Sequence, residues 1–376
     1  MDLTFVFPCL NECRTIALCI NAVNDSLRAD PALKYEIVVA DNGSTDGSRE
    51  IAAGLGARVV PVAQRGYGAA LRGGIEAAEG KYVMFADADG TYCYEHALDL
   101  YKTTSIADVD MGIASRMKGK IEDGAMPTLH RILGTPVLTT LINLLFKGRL
   151  SDCNSGFRCL KKTSYLKWDI RASGMEFASE LLIKALKHRA STVEIPSGLR
   201  PAPVDRVPHL RTWRDGMRHL LFILSERPRL FELKGLTLIL LASILQAVAG
   251  FTGPINLGGF NIFNIHSQVL LMLAALLGTQ IYMLSAAMFL QKTEKPRAIT
   301  RRLIEMDEGG LFFLLSSLMT AIGAVILWLF AKWTLAGFGG LNEIGPLVIW
   351  LHFLAVPAMI AFGLLGVHIL RKGFQG

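Results

Sequence analysis

Charged residues are scarce in this chain of 376 residues. Asp, Glu, Lys and Arg make up 19% of it, whereas hydrophobic residues make up 51%. This composition is too apolar for one soluble domain and too charged for a protein that lies wholly in a membrane. We therefore expect two unlike parts. The change comes near Arg229, and long apolar runs dominate from Gly235 onward.

The sequence also lacks a cysteine pattern typical of a zinc site. None of its six cysteines forms a Cys-x-x-Cys pair with His or Cys partners at zinc spacing. Free thiols in a reducing compartment are the expected state. The N-terminus, MDLTFVFPCLNE, lacks a basic segment followed by a long apolar one, so we expect no cleaved signal. No segment resembles a nucleic-acid-binding module, and a net charge of +7 fits a protein held against anionic lipid.

Four apolar runs are long enough to cross a bilayer, which takes about 20 residues. Buried core helices are the alternative, but four such lengths separated by short loops favour membrane spans. The link between the second and third runs is rich in Lys and Arg, whereas the loop 255–265 has no charge. The positive-inside rule then places that link, the C-terminus and the N-terminal half in the cytoplasm, as in a multi-pass protein of the cell membrane. The runs lie at roughly 235–254, 267–290, 311–331 and 346–370.

The N-terminal half alternates short apolar runs with helical patterns. Runs of Val, Ile and Phe between helices predict a Rossmann-like α/β domain, whose mostly parallel sheet is covered on both faces. Ligands of such sheets bind at the carboxyl ends of the strands. The predicted strands are 3–8, 35–41, 57–62 and 81–87, and the predicted helices are 12–27, 44–55 and 68–78. The expected domains are 1–204 (catalytic), 205–233 (a juxtamembrane amphipathic segment) and 234–376 (four spans).

Two segments have the pattern of helices that lie on a membrane surface. The first, 129–146, places Leu, Ile and Val at helical spacing but is too short and polar to span. The second, 206–230, is rich in Arg with Trp213 and Phe222 interleaved. Packing within the soluble domain is the alternative. It is equally plausible for the first segment and less so for the second.

The stretch YVMFADADGTY, residues 82–92, ends an apolar run on two aspartates. Two carboxylates this close repel each other, which raises their pKa. A divalent cation bound to them removes this repulsion. Oxygen ligands suit Mg²⁺ or Mn²⁺, held by one or two carboxylates together with phosphate oxygens. Asp87 and Asp89 are therefore predicted metal ligands for a diphosphate substrate. The alternative is a turn before Gly90 that the aspartates merely cap.

Several further motifs occur in a fixed order around this stretch, and with it they cover most of residues 3–200. Together they resemble the family 2 glycosyltransferases, specifically the membrane-anchored polyprenyl-phosphate sugar synthases typified by the dolichol-phosphate mannose and glucose synthases. The motifs are FPCLNE (7–12), VVADNGSTDGS (38–48), RGYGAALRGGIEAAEGKYVMFADAD (65–89), ASRMKG (114–119), SDCNSGFRCLKK (151–162) and GMEFASELL (174–182).

The resemblance implies a GT-A catalytic domain followed by a membrane anchor. It also implies inverting transfer of mannose or glucose from a nucleotide-diphosphate sugar, GDP-mannose or UDP-glucose, to a polyprenyl phosphate. A processive polysaccharide synthase is one alternative, although its Q-x-x-R-W motif is missing here. A non-catalytic membrane scaffold is another. The oligomeric state is open, and a homo-oligomer is one option.

The resemblance also implies roles for individual residues. The metal ligands would be Asp87 and Asp89, and Asp152 would either orient the acceptor or act as base, with a structural capping role equally plausible. Thr91 and Asn42 depart from the family pattern, which often has Gln or His at the first position and Asp at the second. Donor-binding residues would be Pro8, Leu10, Glu12, Val39, Asp41, Ala88 and Arg116. Arginines for the acceptor phosphate would be Arg131, Arg206 and Arg211.

Overall fold

The predicted alternation of strands and helices is present in the N-terminal half. The structure is a computed structural model that describes residues 1–203, 212–258, 260–292, 294–338 and 344–373. Two compact units are present, Met1–Leu224 and Ser225–Gly376. The described part of the segment 205–233 is divided between them.

A seven-stranded sheet forms the centre of the first unit. Its order is β3-β2-β1-β4-β6-β5-β7. Neighbouring strands run parallel except β6, which is antiparallel to both β4 and β5. The strands are β1 (Leu3–Cys9), β2 (Tyr35–Asp41), β3 (Arg58–Pro61), β4 (Tyr82–Phe85), β5 (Met111–Ser115), β6 (Arg158–Lys161) and β7 (Thr192–Pro196).

Helices connect these strands and cover both faces of the sheet. The first begins at Ile16, four residues later than predicted, because residues 13–15 form a turn after Glu12. The helices are α1 (Ile16–Leu27), α2 (Ser48–Gly54), α3 (Tyr67–Ala77), α4 (Ala97–Ile106), α5 (Thr135–Phe146), α6 (Lys162–Lys167), α7 (Phe177–Lys187) and α8 (Thr212–Ser225). A 3₁₀ turn at Tyr94–His96 precedes α4, and a π-helical turn at His130–Gly134 precedes α5.

Two hydrophobic layers hold the sheet. Because side chains alternate across a strand, Phe5 and Phe7 of β1 enter one layer with α1, and Val6 enters the other with α3 and α7. Ile142 of α5 and Ile223 of α8 are buried in the second layer. The first unit therefore has one sheet with a packed core on each face.

The two segments predicted to lie on a membrane surface both bury one face in the first unit. In 129–146, Thr139, Ile142 and Phe146 are buried, whereas Ile132 and Leu144 are 71% and 75% exposed. One face of this segment therefore packs within the first unit, and its outer face is apolar and exposed, as in a helix that lies on a membrane surface.

The helix α8 belongs to the second of these segments. Its His219 is buried and shares a hydrogen bond of 2.7 Å with the Ser179 hydroxyl. The packing interpretation, which the sequence disfavoured, thus holds for this face of α8. Residues 204–211 lie outside the described part of the chain.

Among the described residues of the second unit, four helices are long and apolar enough to cross a membrane: Pro228–Thr252, Ile265–Phe289, Glu308–Leu335 and Gly345–Lys372. The predicted runs match them, although the first starts earlier than expected. The elements of this unit are α9 (Pro228–Thr252), β8 (Ile255–Leu257), β9 (Phe260–Ile262), α10 (Ile265–Phe289), α11 (Ala298–Ile304), α12 (Glu308–Leu335) and α13 (Ile344–Gly373).

The helices α9 and α10 touch backbone to backbone at Gly235. A Cβ atom at that position would lie 2.7 Å from the Tyr282 nitrogen and 2.8 Å from the Gly278 oxygen. Small residues commonly permit such close crossings of membrane helices. Gly323 of α12, by contrast, has nothing within 4 Å of an added Cβ.

Alanine at these two glycines should have opposite effects on thermal stability. Gly235→Ala forces two backbones apart, so we expect a loss of about 1–3 kcal/mol, the usual cost of overpacking. Gly323→Ala should be neutral or gain up to about 1 kcal/mol, because Ala favours a helix over Gly. Thermal unfolding of both variants in the same lipid or detergent measures the difference. Equal effects would contradict the close crossing.

Candidate active site

The carboxyl ends of β2, β1 and β4 meet at one edge of the sheet, since these neighbouring strands are parallel. Asp41 ends β2 and is 2% exposed. Its carboxylate accepts hydrogen bonds from the backbone of Gly43 (3.1 Å) and Ser44 (3.0 Å). The loop after β2 is thereby fixed at this edge, and Gly43 has the positive φ (93°) that the turn needs.

Asp87 follows β4 at the same edge and is held by two tyrosines. The Tyr67 hydroxyl donates to Asp87 Oδ1 over 2.7 Å. The Tyr94 hydroxyl donates to the Asp87 main-chain oxygen over 2.5 Å. Burial, and next the charge of Asp87, raises the pKa of Tyr67 well above its ordinary value, so this phenol remains a donor. The orientation of the Asp87 carboxylate is therefore fixed from helix α3.

Asp89 is shaped by the turn that follows it. Its Oδ1 accepts from the Thr91 nitrogen (2.9 Å) and the Thr91 hydroxyl (2.6 Å). Thr91, which departs from the family pattern, thus orients this carboxylate. The capping interpretation and the metal interpretation are compatible, because a carboxylate has two oxygens and several lone pairs.

The carboxylates of Asp87 and Asp89 fit a hard cation whose remaining ligands come from a substrate. At Gly156, a Cβ atom would lie 3.0 Å from Asp87 Oδ2 and 2.9 Å from the Tyr92 hydroxyl oxygen, so the backbone approaches closely there. Among the described residues, no group of three or more His, Cys, Asp or Glu side chains could hold a metal. Mg²⁺ and Mn²⁺ need no such cage, because phosphate oxygens and water complete their coordination.

Arg116 and Asp152 form a buried ion pair beside this edge. Arg116 Nε lies 2.8 Å from Asp152 Oδ2, and Nη2 lies 2.9 Å from Oδ1. The backbone nitrogens of Arg116 and Asn154 also donate to the carboxylate. Burial would raise the pKa of Asp152, but the charge and hydrogen bonds of Arg116 outweigh it and hold the pKa below its ordinary value. A fully buried, ionised and bonded carboxylate is a weak base, so the geometry favours the structural alternative for Asp152.

The predicted donor-binding residues lie in different surroundings. Pro8 lies near the end of β1 and Leu10 just after it, both partly exposed, and Ala88 is buried between the two metal-ligand candidates. Glu12 accepts from the Thr15 hydroxyl over 3.1 Å. The side chain of Val39 is fully buried in the first hydrophobic layer, so it does not face the site.

The predicted acceptor arginines are only partly described. Arg131 lies in the π-helical turn before α5, and its side chain is exposed. Arg206 and Arg211 lie outside the described residues. Arg200, which precedes them in the sequence, is paired with Glu95 over 2.5 Å.

Sequence reasoning missed Tyr67 and Arg158. Tyr67 stands in GYGAALRG, a motif that predicts packing glycines, and nothing local pairs it with Asp87. Arg158 is 1% exposed and donates to the carbonyls of Cys153, Ser155 and Ala178. Its position at the start of a short strand gave no local signal of burial. Both residues support the loops that carry the carboxylates.

Comparison with known proteins identifies the family of the chain. Residues 4–168 match the family described as Glycosyl transferase family 2. The low-salt glycan biosynthesis hexosyltransferase Agl6 of Haloferax volcanii is 35% identical over 285 residues, which is 76% of this chain and 67% of that protein. Dolichyl-phosphate beta-glucosyltransferase of Saccharomyces cerevisiae is 25% identical over 218 residues, 52% of this chain and 65% of that protein. The chain thus spans about two thirds of the length of these relatives.

Among solved structures, glucosyl-3-phosphoglycerate synthase from Mycobacterium tuberculosis, in complex with Mn²⁺ and UDP-glucose, has a TM-score of 0.48 and 20% identity. The match covers 60% of this chain and 78% of that one.

The chain belongs to the family 2 glycosyltransferases and is a glycosyltransferase. Its Agl and dolichyl-phosphate relatives are consistent with the polyprenyl-phosphate sugar synthase type. The predicted fold class is confirmed: a GT-A domain with a mostly parallel sheet is followed by four long apolar helices.

Removal of one hydroxyl, in Tyr67→Phe, should lower transferase activity with little change in thermal stability. A hydrogen bond to a charged group contributes about 1.5–3 kcal/mol. If the Asp87 carboxylate must be held in place for transfer, the variant should lose roughly 10- to 100-fold in kcat/KM. Tyr165→Phe is the matched control, because Tyr165 is also buried in this unit and lies away from Asp87. Equal activity of the two variants would show that Tyr67 does not position Asp87.

Proposed function

We propose that this protein transfers a hexose from a nucleotide-diphosphate sugar to a polyprenyl phosphate, with inversion at the anomeric carbon, at the cytoplasmic face of a membrane. The observation that carries the proposal is one sheet edge with two oriented carboxylates and a buried, ion-paired arginine, in a chain with four apolar helices. The name of the yeast relative, dolichyl-phosphate beta-glucosyltransferase, supports a lipid-phosphate acceptor.

In this proposal Asp87 and Asp89 hold Mg²⁺ or Mn²⁺ with the donor diphosphate. When bound, the cation neutralises charge that develops on the leaving diphosphate. Arg116 contributes a fixed positive charge from the protein side. Its Nε and Nη2 bond Asp152, and the guanidinium has further N–H groups for a phosphate oxygen.

The acceptor supplies its own nucleophile. A phosphate oxygen of the polyprenyl phosphate attacks the anomeric carbon, the bond from that carbon to the diphosphate oxygen breaks, and the nucleoside diphosphate leaves. A phosphate monoester has a second pKa of about 6, so it is largely dianionic at neutral pH and needs no protein base. Asp152 then serves to hold Arg116.

The segment 129–146 is the proposed meeting point with the lipid. Its outer face exposes leucine, isoleucine and valine side chains, and Arg131 is exposed within it. An apolar face with a cation suits the boundary between acyl chains and phosphate head groups. Arg206 and Arg211 remain proposed phosphate ligands on sequence grounds. The exposed apolar residues are Leu129, Ile132, Leu133, Val137 and Leu144.

The donor and the sugar are the finer part of the proposal. The hexosyltransferase named among the relatives supports a hexose, and glucose from UDP-glucose and mannose from GDP-mannose are the two options. Full-length protein should be incubated with polyprenyl phosphate and each radiolabelled nucleotide sugar in turn. We expect label in the lipid phase from at least one, dependent on the acceptor. Label in polymer, or none with either donor, would overturn the proposal.

Loss of one predicted metal ligand should abolish most activity. Asp89→Asn keeps the shape and the Thr91 turn but removes the charge, so we expect a fall of several orders of magnitude with folding intact, and excess EDTA should inhibit the unchanged enzyme. The control is Asp99→Asn, an exposed aspartate on α4. Wild-type activity of Asp89→Asn, or of enzyme in EDTA, would exclude this metal site.

Arg131→Ala should raise the apparent KM for polyprenyl phosphate and leave the KM for the nucleotide sugar little changed. Arg131→Lys should bring the KM for polyprenyl phosphate only part of the way back to the wild-type value. Lysine keeps the charge but loses the two-pronged hydrogen bonding to phosphate. Arg28→Ala is the matched control, since Arg28 is exposed at the end of α1, toward the opposite edge of the sheet. A change in donor KM alone would assign Arg131 to the other substrate.

A further inference from the structure

Two amides and an imidazole are among the polar side chains buried in the membrane helices. Gln246 of α9 and His352 of α13 are fully buried, and Gln268 of α10 is 5% exposed. Apolar residues such as Ile239 and Ala275 form a hydrophobic cluster between the same helices. Polar groups in such a position are costly unless they are hydrogen-bonded.

These side chains lie at a similar depth along the helices. Gly235 of α9 packs on Gly278 of α10, and the two helices are antiparallel. Gln246 follows Gly235 by 11 residues, and Gln268 precedes Gly278 by 10. At a rise of 1.5 Å per residue both glutamines lie about 15–17 Å from that crossing. His352 joins them through a hydrogen bond of 2.9 Å between its Nε2 and the hydroxyl of Ser243, one turn before Gln246.

Four buried atoms of this group have no hydrogen-bond partner within the part of the chain that is described. They are both amide atoms of Gln246, Oε1 of Gln268 and Nδ1 of His352. The remaining polar atoms are satisfied, because Gln268 Nε2 donates to the Phe263 carbonyl over 3.0 Å and His352 Nε2 pairs with Ser243. The unpaired atoms therefore occur together, on three facing helices.

We propose that Gln246, Gln268 and His352 bind internal water and form a hydrated polar layer inside the membrane unit. Water offers two donors and two acceptors, which match this set. The two Oε1 atoms accept from water. Gln246 Nε2 donates to it, as does His352 Nδ1 once the Ser243 hydroxyl donates to Nε2. Buried waters in proteins typically make about three such bonds.

A groove lies at the ends of α9 and α10 that carry the two glutamines. The groove has a volume of about 400 Å³ and lies where α9, β9 and α10 meet. Its walls are almost entirely apolar, so it does not itself retain water by hydrogen bonding, whereas the buried amides and imidazole do. Its lining residues are Leu245, Ile262, Phe263, Ser267, Leu270 and Leu271, and two of them adjoin Gln246 and Gln268 in sequence.

The layer has a structural consequence for the anchor. A satisfied polar network inside an apolar core fixes one helix register, since any shift leaves its members unpaired. The layer thus adds to the glycine crossing at Gly235, which fixes the distance between α9 and α10.

The sign of a stability change tests the proposal. In full-length protein in lipid nanodiscs, Gln246→Leu should lower the midpoint of thermal unfolding by roughly 2–4 °C. The substitution strips the bound water of two partners and leaves the other groups unpaired. If the layer is dry, the same substitution removes two unsatisfied atoms and raises the midpoint, which would overturn the proposal. Gln291→Leu, at an exposed position after α10, is the control.

A second measurement detects the water itself. A short X-ray pulse in H₂¹⁸O oxidises side chains beside bound water, and mass spectrometry locates the label. We expect label on the peptide that contains His352, with slow exchange from bulk, and its loss in Gln246→Leu. Label on that peptide no stronger than on the lipid-facing side of α12 would contradict a hydrated layer, whatever the stability data show.

Discussion

The ion pair between Arg116 and Asp152 is the constraint on which the catalytic edge depends. It ties the end of β5 to the loop before β6, two segments far apart in sequence, with both charges largely out of water. Loss of one partner of such a pair typically costs about 3–5 kcal/mol, because the other charge stays buried. Because folding lowers the pKa of Asp152, the ionised carboxylate stabilises the folded state. That stabilisation is complete above the unfolded pKa of about 3.9 and is lost as the pH falls through the pKa in the folded state.

The remaining parts of the site are arranged around this pair. Arg158 gathers three main-chain carbonyls of the neighbouring loops, and Gly156 brings the backbone close to Asp87. Tyr67 approaches Asp87 from the opposite side, on helix α3. The result is an anionic pair and a guanidinium at one edge of the sheet, each held in place by hydrogen bonds to neighbouring groups. Such preorganised charge suits the departure of a diphosphate.

Much of this could be predicted from the sequence, because periodicity and strand ends are local signals. The apolar runs before Asp41 and Asp87 indicated parallel strands that share an edge, and the motif order indicated the family. The antiparallel β6 and the Tyr67–Asp87 bond could not be predicted this way, since both depend on contacts between distant segments. The basic amphipathic pattern of α8 was ambiguous for a different reason. An apolar face that packs on a protein has the same periodicity as one that packs on lipid. His219 and Ile223 show that one face of α8 packs in the first unit.

If Asp152 stays ionised and bonded to Arg116, the acceptor phosphate attacks without a protein base. The pH dependence of transfer tests this claim most directly. The acid limb of kcat/KM should follow the second ionisation of the lipid phosphate, near pH 6. With a polyprenyl phosphonate, whose second pKa is higher, we expect that limb to move upward with the acceptor. An acid limb that stays in place when the acceptor changes would show that a protein group, and not the substrate, supplies the base.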